Sequence, residues 1–260
     1  MDPAHSTIDI LICTVADRLD NIAGMLLPQR EGVSYVVSVQ YKSEPSPVIP
    51  SVLESRPDVR TGLFRGMGLS RNRNNSINMA TADICVIADD DNVYTDRHLD
   101  TIIDSWSRNP DADIMIFRAE TLQGKPLHPY PVPYVCSVEM TFRRDSIQSR
   151  GLKFDERFGL GGTLFCAGEE DVFMADARRA GMVIRYNPEV IVRTNGITTS
   201  SGFSTDKRLQ ITKGATFGYV YGTFSAVWRS FKEAGWYLFR KRTNPFPILF
   251  NMLKGIWILR

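Results

Sequence analysis

The sequence lacks both a long apolar run and a paired-cysteine motif. Its 260 residues are 43% hydrophobic, but polar residues interrupt every stretch before the ~18 apolar residues that a membrane-spanning helix needs. The cysteines are widely spaced and have no neighbouring histidine, which excludes a zinc finger and a disulfide framework. They are predicted to be buried free thiols: Cys13, Cys85, Cys136 and Cys166. This composition also excludes intrinsic disorder and predicts one large globular domain, or one domain with an appendage.

The amino terminus has little of what a secretory signal requires. It reads MDPAHSTIDILICTVADRLD, with no basic segment at its start and no small-residue cleavage site after the apolar run. We therefore expect a cytoplasmic protein.

Acidic residues are scarce in the last part of the chain. Residues 206–260 contain ten Lys and Arg against Asp206 and Glu233, a net charge of +8. The whole chain carries 31 basic and 29 acidic residues, so 21 basic and 27 acidic residues remain in 1–205, a net charge of −6. This asymmetry predicts that the basic tail meets an anionic partner, either a membrane surface or nucleic acid.

Strand-like and helix-like segments alternate in the first half of the chain. Apolar, β-branched runs of strand length occur at 8–15, 33–41, 84–88 and 112–120. Helical patterns run from Ser70, a predicted N-cap, to Ala80, and from Tyr94 to Asn109. The alternation predicts an α/β fold with a mainly parallel sheet flanked by helices.

Residues 93–205 are less regular, and we expect them to mix strand directions. Prolines make 126–134 an extended loop, and 137–144 alternates like a strand. A helix is predicted to begin near Gly168 and to end at Gly181, after which 182–186 and 189–193 return to strand.

The tail predicts two amphipathic helices. One apolar stripe with helical spacing contains Phe217, Val220, Tyr221, Phe224, Val227, Trp228 and Phe231. A second helix is expected after an Asn244 cap and Pro245.

Three adjacent carboxylates, Asp89, Asp90 and Asp91, directly follow a buried strand. Because neighbouring carboxylates repel one another, stability alone does not explain them. Carboxylate oxygens suit Mg²⁺ or Mn²⁺, which shares such ligands with substrate phosphates. The alternative at this point is a solvated acidic loop.

A second acidic group, Glu169, Glu170 and Asp171, opens the helix near 168. The helix dipole favours acidic residues there, and that is the simpler interpretation. The other interpretation is a carboxylate held ionised and able to accept a proton from a hydroxyl. Arg71 is predicted to face solvent, whereas Arg73 lies on the Ile77 side of its helix, where its planar fork could orient a carboxylate or bind phosphate.

Taken in order, GLSRNRNNSINMATADICVIADDDN, FDERFG and GEEDVFMADARRAG resemble glycosyltransferase family 2 enzymes of the GT-A fold, over about residues 6–200. The resemblance implies a Rossmann-like mixed sheet. It also implies metal-dependent, inverting transfer of a sugar from a nucleoside-diphosphate sugar, with UDP-sugars as the first expectation. The implied acceptor is a hydroxyl of a glycan or lipid-linked molecule in bacterial-type surface polysaccharide assembly.

The resemblance also implies a role for each matched residue. Asp91 and Asp89 would ligate Mn²⁺ or Mg²⁺, and Asp171 with Glu170 would provide the catalytic base. Gly168 and Glu169 would contact the acceptor. The implied donor-binding residues are Thr14, Val15, Arg18, Arg73, Asn74, Asp89 and Asp90.

Two departures from the family pattern stand out. Gln40 and Tyr41 replace the acidic pair that usually ends the second strand and contacts the base of the donor. The resemblance therefore does not indicate which base the donor nucleotide carries. The late histidine that completes the metal shell in many members has no counterpart, since the segment reads VIVRTNG. Arg193 is one residue that could face the diphosphate instead.

We therefore predict a GT-A catalytic domain over 1–205, with a donor half (1–92) and an acceptor half (93–205), and a basic aromatic tail over 206–260. The tail is expected to dock on the cytoplasmic membrane face, with packing on the catalytic domain or a homo-oligomer as alternatives; no nucleic acid partner is indicated. Two other functions remain open. A haloacid-dehalogenase-type phosphatase is compatible with the DDDNV motif, and a non-catalytic sugar- or membrane-binding module is the third hypothesis.

Overall fold

A computed structural model describes residues 6–128, 135–196 and 202–260, and the chain divides into two compact units. The sheet unit comprises the described residues of Met1–Met67, Arg71–Lys153 and Asp176–Gly196. The helical unit comprises those of Gly68–Ser70, Phe154–Ala175 and Ile197–Arg260. The predicted proline-rich loop at 126–134 falls largely outside the described residues.

The sheet unit is built on a seven-stranded sheet of order β3-β2-β1-β4-β6-β5-β7. The strands are β1 (Ile8–Val15), β2 (Val33–Tyr41), β3 (Val59–Arg65), β4 (Ile84–Asp89), β5 (Ile114–Thr121), β6 (Met140–Arg143) and β7 (Ile184–Thr194). Neighbouring strands are parallel, except that β6 runs antiparallel to both β4 and β5. The predicted mainly parallel sheet with mixed directions in the second half is confirmed.

The helices are α1 (Ser51–Glu54), α2 (Leu69–Met79), α3 (Asp96–Arg108), α4 (Arg144–Ser149), α5 (Glu169–Arg179), α6 (Lys207–Tyr221), α7 (Thr223–Lys241) and α8 (Pro245–Ile258). A 3₁₀ helix occupies Ala16–Met25. The helix expected at 94–109 is α3, which the Thr95 hydroxyl caps by accepting from the His98 amide. Gly181 follows α5 with a φ of 68°, as expected of a residue that ends a helix.

Burial explains why β1 and β4 read as continuous apolar runs. Both lie inside the sheet, and Ile8, Ile12, Ile84 and Ala88 are at most 1% exposed. Trp106 of α3 packs in the same core, and its indole N–H donates to the Thr141 hydroxyl at 3.0 Å. The Cys13 thiol is buried too, which raises its pKa to about 12, so it is not a nucleophile at neutral pH.

Two predictions about the sheet unit and its flanks need correction, and one strand lies where the sequence pattern assigns no element. That strand is β3, which forms at Val59–Arg65 by parallel pairing with β2; its partial burial leaves only a weak apolar pattern. Ser70 is not an N-cap, because α2 begins at Leu69, whose amide donates to the Leu160 carbonyl at 2.8 Å. The strand expected at 137–144 is confined to β6, since 137–139 form a 3₁₀ turn.

The tail also differs from expectation. The stripe from Phe217 to Phe231 does not lie on one helix, because Gly222 adopts a φ of 76° and separates α6 from α7. The second predicted helix is correct: α8 begins at Pro245, and the Asn244 side chain accepts from the Phe246 amide. Among the described residues, no helix combines the length and apolar content needed to cross a membrane.

Two glycines allow α6 and α8 of the helical unit to pack closely. A Cβ on Gly255 of α8 would lie 1.8 Å from the Ile211 carbonyl oxygen of α6. A Cβ on Gly214 of α6 would likewise lie 1.9 Å from the Met252 carbonyl oxygen of α8. The helices pack with their backbones in contact. Residues outside the tail join this unit's core, since Phe158, Phe165 and Val172 cluster with Ala215.

Candidate donor site

The three carboxylates lie at the carboxyl edge of β4, beside the end of β1. Cys13 of β1 pairs in register with Asp89, and Thr14 pairs with Val39 of β2. In open α/β sheets, ligands bind outside the carboxyl ends of the strands. The sheet therefore places Asp89, Asp90 and Asp91 where a ligand can be bound.

Asp90 joins the ends of β4 and β1. Its carboxylate accepts from the Thr14 hydroxyl at 2.7 Å and forms an ion pair with Arg18 at 2.6 Å. Burial raises the pKa of Asp90, while the bond from Thr14 and the charge of Arg18 oppose that shift. Thr14 and Asp90 are thus hydrogen-bonded to each other. Val15, at the end of β1, is half-buried, and the Arg18 side chain is half-exposed.

Arg73 supports Asp89 from beneath the site. Its side chain is 2% exposed and lies 3.5 Å from the Asp89 carboxylate, which is 39% exposed. The same guanidinium donates to the Ser137 hydroxyl at 2.7 Å. Arg71 is exposed, so the predicted helix face is correct. Asn74 is half-buried.

Asp91 has a partner that the sequence did not indicate. Asn195 follows β7, and its side-chain amide donates a hydrogen bond to the Asp91 carboxylate. Burial and the neighbouring Asp89 raise the pKa of Asp91. Arg193, considered above as a diphosphate ligand, lies 3.7 Å from Glu120 of β5. The sequence offered one indication of the contact with Asp91. Asn195 is a polar residue two positions after Arg193, near the position where many family members have a metal-binding histidine.

Asn72 is a second residue that sequence reasoning missed. Its side-chain amide donates to the carbonyl oxygens of Thr14 and Ser38, at 3.0 and 3.1 Å. The Ser38 hydroxyl donates a hydrogen bond back to the side-chain oxygen of Asn72, Oδ1, at 2.6 Å. One buried side chain on α2 therefore fixes the ends of β1 and β2, which positions the edge that carries the carboxylates.

The carboxylate oxygens at this site suit a hard divalent cation to which a substrate supplies further ligands. Within the described ranges, no three His, Cys, Asp or Glu side chains converge as a complete metal site. Asp89 and Asp91 offer two carboxylates, the number that Mg²⁺ commonly takes when phosphates supply further ligands. Burial first, and then the neighbouring charge of Asp89, raise the pKa of Asp91, and a bound cation would offset that negative charge.

The second acidic group belongs to the helical unit, at the start of α5. Gly168 precedes it with a φ of 87°, and a Cβ there would lie 2.3 Å from the Thr216 hydroxyl. Glu169 is buried, 5% exposed, and its carboxylate lies beside Gly159. Glu170 and Asp171 are half-buried in the first turn of the helix. Acidic residues in a first turn interact favourably with the helix dipole.

Residues 55–167 match the family model described as glycosyl transferase family 2. Among curated proteins, no sequence match is found.

Solved structures of glycosyltransferases share the fold. S. aureus TarS matches with a TM-score of 0.55 at 12% identity, covering 91% of this chain and 44% of that one. The chain thus spans less than half of that TarS chain. TarS 1-349 in complex with UDP-GlcNAc matches with a TM-score of 0.55 at 10% identity, covering 96% and 90%. A mannosyltransferase from Pyrobaculum calidifontis, in complex with GDP-Man and Mn2+, matches with a TM-score of 0.54 at 15% identity, covering 99% and 73%.

The topology also bears on the phosphatase alternative. In the phosphatase fold the DxD motif normally lies on the first strand of the chain, whereas here it begins at the last residue of β4, with three strands before it. The predicted resemblance is therefore confirmed: residues 55–167 match glycosyl transferase family 2, and the chain has the GT-A glycosyltransferase fold.

Proposed function

We propose that this protein is an inverting, metal-dependent glycosyltransferase that uses a nucleoside-diphosphate sugar. The observation that supports this most strongly is the position of Asp89, Asp90 and Asp91 at the carboxyl edge of β4, beside β1. Three carboxylates there cost stability, and a bound cation and diphosphate would offset that cost. The fold, shared with proteins solved with UDP-GlcNAc and GDP-Man, supports the donor class.

The donor diphosphate is proposed to bind where Asp89, Asp91 and Arg18 meet at the strand ends. Asp89 and Asp91 would hold Mn²⁺ or Mg²⁺, which supplies charge neutralisation for the leaving diphosphate when bound. Arg18, half-exposed and anchored on Asp90, would contribute positive charge beside the diphosphate. Arg73 and Asn195 would keep Asp89 and Asp91 in position.

Asp171 is proposed as the general base, on the family resemblance and its place in the first turn of α5. It would accept the proton of an acceptor hydroxyl as that oxygen attacks the anomeric carbon in line. The bond from that carbon to the diphosphate breaks with its electron pair on the leaving oxygen, so the configuration inverts. Glu170 would assist as a neighbouring carboxylate, and Gly168 and Glu169 would border the acceptor.

The acceptor is proposed to be a hydroxyl of a glycan or lipid-linked molecule, consistent with surface polysaccharide assembly. UDP-sugars are the first donors to test and GDP-Man the second, since Gln40 and Tyr41 leave the choice of base open.

The test is thermal shift with UDP-GlcNAc and GDP-Man, with and without Mn²⁺, on the wild type and Asp91→Asn. Ligand that binds the native state raises the melting temperature, so the wild type should show a Mn²⁺-dependent increase that Asp91→Asn loses. Asp17→Asn, an exposed acidic residue, is the matched control and should behave as wild type.

Transfer itself is measured as acceptor-dependent release of nucleoside diphosphate, with the anomeric configuration of the product read by NMR. If no nucleotide sugar shifts the melting temperature in either condition, the donor assignment is wrong. Donor binding without turnover across the acceptor panel would favour the non-catalytic module.

A further inference from the structure

Helix α7 of the helical unit buries small residues and exposes most of its aromatic residues; Tyr237, which packs against Phe203, is the exception. Its buried positions are Ala226, Ser230 and Ala234, four residues apart. Phe224 is 96% exposed, Trp228 68% and Phe239 83%. An ordinary amphipathic helix of a monomer buries its large apolar side chains instead. The packing of α7 within its unit therefore does not account for Phe224, Trp228 and Phe239.

Helix α8 also exposes aromatic residues, although its buried face carries large apolar side chains. It buries Ile248, Met252 and Ile256 in the helical unit, while Phe246, Phe250 and Trp257 are each more than half exposed. The end of α8 lies at the start of α7, because Arg260 donates to the Thr223 hydroxyl at 3.0 Å. The two helices thus form an antiparallel pair in which each member has an exposed aromatic face.

Positive charge accompanies these aromatic faces. The exposed basic residues of the pair are Arg229, Lys232, Arg240, Lys241, Arg242, Lys254 and Arg260. Glu233 is the one acidic residue between positions 207 and 260. The Lys241 ammonium lies 6.0 Å from the centroid of the Trp236 ring on α7, and the Arg229 guanidinium lies 3.6 Å from the centroid of the Tyr221 ring at the end of α6, so charge and aromatic surface lie close together.

We propose that the exposed faces of α7 and α8 form a docking surface for an anionic lipid bilayer. Trp, Phe and Tyr beside Lys and Arg suit the bilayer interface, where rings insert at the headgroup level and cations meet lipid phosphates. A second copy of this chain fits less well, since a two-fold interface would bring the same basic residues together. The proposal concerns a different surface from the donor site and does not rest on the transfer reaction.

The experiment is vesicle flotation of the full-length chain, with vesicles of phosphatidylcholine alone and of phosphatidylcholine with phosphatidylserine. The wild type should float with the anionic vesicles, less so at high salt, and not with the neutral ones. The triple variant Arg240→Gln, Lys241→Gln, Arg242→Gln should partition about 100-fold more weakly, the effect expected of three basic groups near an anionic leaflet.

The matched control removes the same charge from exposed positions of the sheet unit. Arg97→Gln, Arg108→Gln, Lys153→Gln should float as wild type. A second variant, Trp228→Ser, Phe231→Ser, Phe239→Ser, should lower partition while leaving the thermal melt of the protein near that of the wild type. If the aromatic variant unfolds, the triple variant at Arg240, Lys241 and Arg242 tests the proposal instead, because those side chains are exposed.

Three results would overturn the proposal. One is a wild type that floats with neither kind of vesicle. Another is a control variant that weakens flotation as much as the tail variant does. The third is a wild type that sedimentation shows to be a dimer, that does not float, and that the aromatic variant converts to monomer; this would assign the surface to a second copy.

Discussion

Arg73 and Arg71 stand two positions apart on α2 and have opposite environments. Arg73 is buried between Asp89 and Ser137, whereas Arg71 is exposed. We expect Arg73→Ala to lower the free energy of unfolding by roughly 1–3 kcal/mol, because it removes the hydrogen bond to the buried Ser137 hydroxyl and the ion pair with Asp89. It should also weaken donor binding by releasing Asp89.

Arg71→Ala is the matched control, and we expect a change within about 0.5 kcal/mol, as for most surface substitutions. Chemical denaturation and a donor titration on both variants measure the difference. If Arg73→Ala and Arg71→Ala changed the free energy of unfolding equally, the contacts of the buried Arg73 would not contribute to stability.

Asp171 provides a second prediction at the scale of one residue. Asp171→Asn keeps the shape of the side chain but cannot accept a proton from the acceptor. We expect donor binding to be retained and the transfer rate to fall by roughly 10²–10⁴, the usual loss for a general base. Asp176→Asn, which removes a carboxylate paired with Arg179 from the same helix, is the control. Steady-state kinetics that leave Asp171→Asn at the wild-type rate would exclude Asp171 as the base.

Among the elements, α6 and α8 are the most constrained pair, because their backbones touch at Gly214 and Gly255. We expect Gly255→Ala to destabilise the protein by roughly 1–3 kcal/mol or more, since its methyl group would overlap the Ile211 carbonyl and force the helices apart. Calorimetry or chemical denaturation would show the loss.

Gly235 of α7 offers the control for that prediction, since a Cβ there would meet nothing within 4 Å. Gly235→Ala should be neutral or stabilising by up to about 1 kcal/mol, because alanine is the better helix former. A Gly255→Ala variant as stable as Gly235→Ala would contradict the close packing of α6 and α8.

At the scale of the whole molecule, the tail has a structural role within its own unit. α6 contributes Ala215 to a cluster with Phe158, Phe165 and Val172. We expect truncation after Thr205 to expose those three side chains and cause aggregation, whereas the full-length chain remains monodisperse. Light scattering and dye binding to exposed apolar surface would measure this. A truncated chain that stays monodisperse would show that the cluster does not need α6.

The sequence by itself determined the parts of this protein that depend on local pattern. Strong periodicity and continuous apolar runs located β1, β2, β4, α3 and α5 to within a few residues. The Asn244 cap with Pro245 located the start of α8, because capping is a contact between near neighbours. The three carboxylates after β4 were visible for the same reason, since a buried strand that ends in adjacent charges is unusual wherever it lies.

Tertiary structure alone decided what depends on residues distant in the chain. β3 has only partial burial and exists by pairing with β2, so its own pattern does not identify it. Asn195 reaches Asp91 across more than a hundred positions of sequence, and no periodicity encodes that hydrogen bond. The face of α7 that is buried depends on which helices pack against it. Phe224, Trp228 and Phe231 of the aromatic stripe are exposed, because Ala226, Ser230 and Ala234 form the buried face of α7.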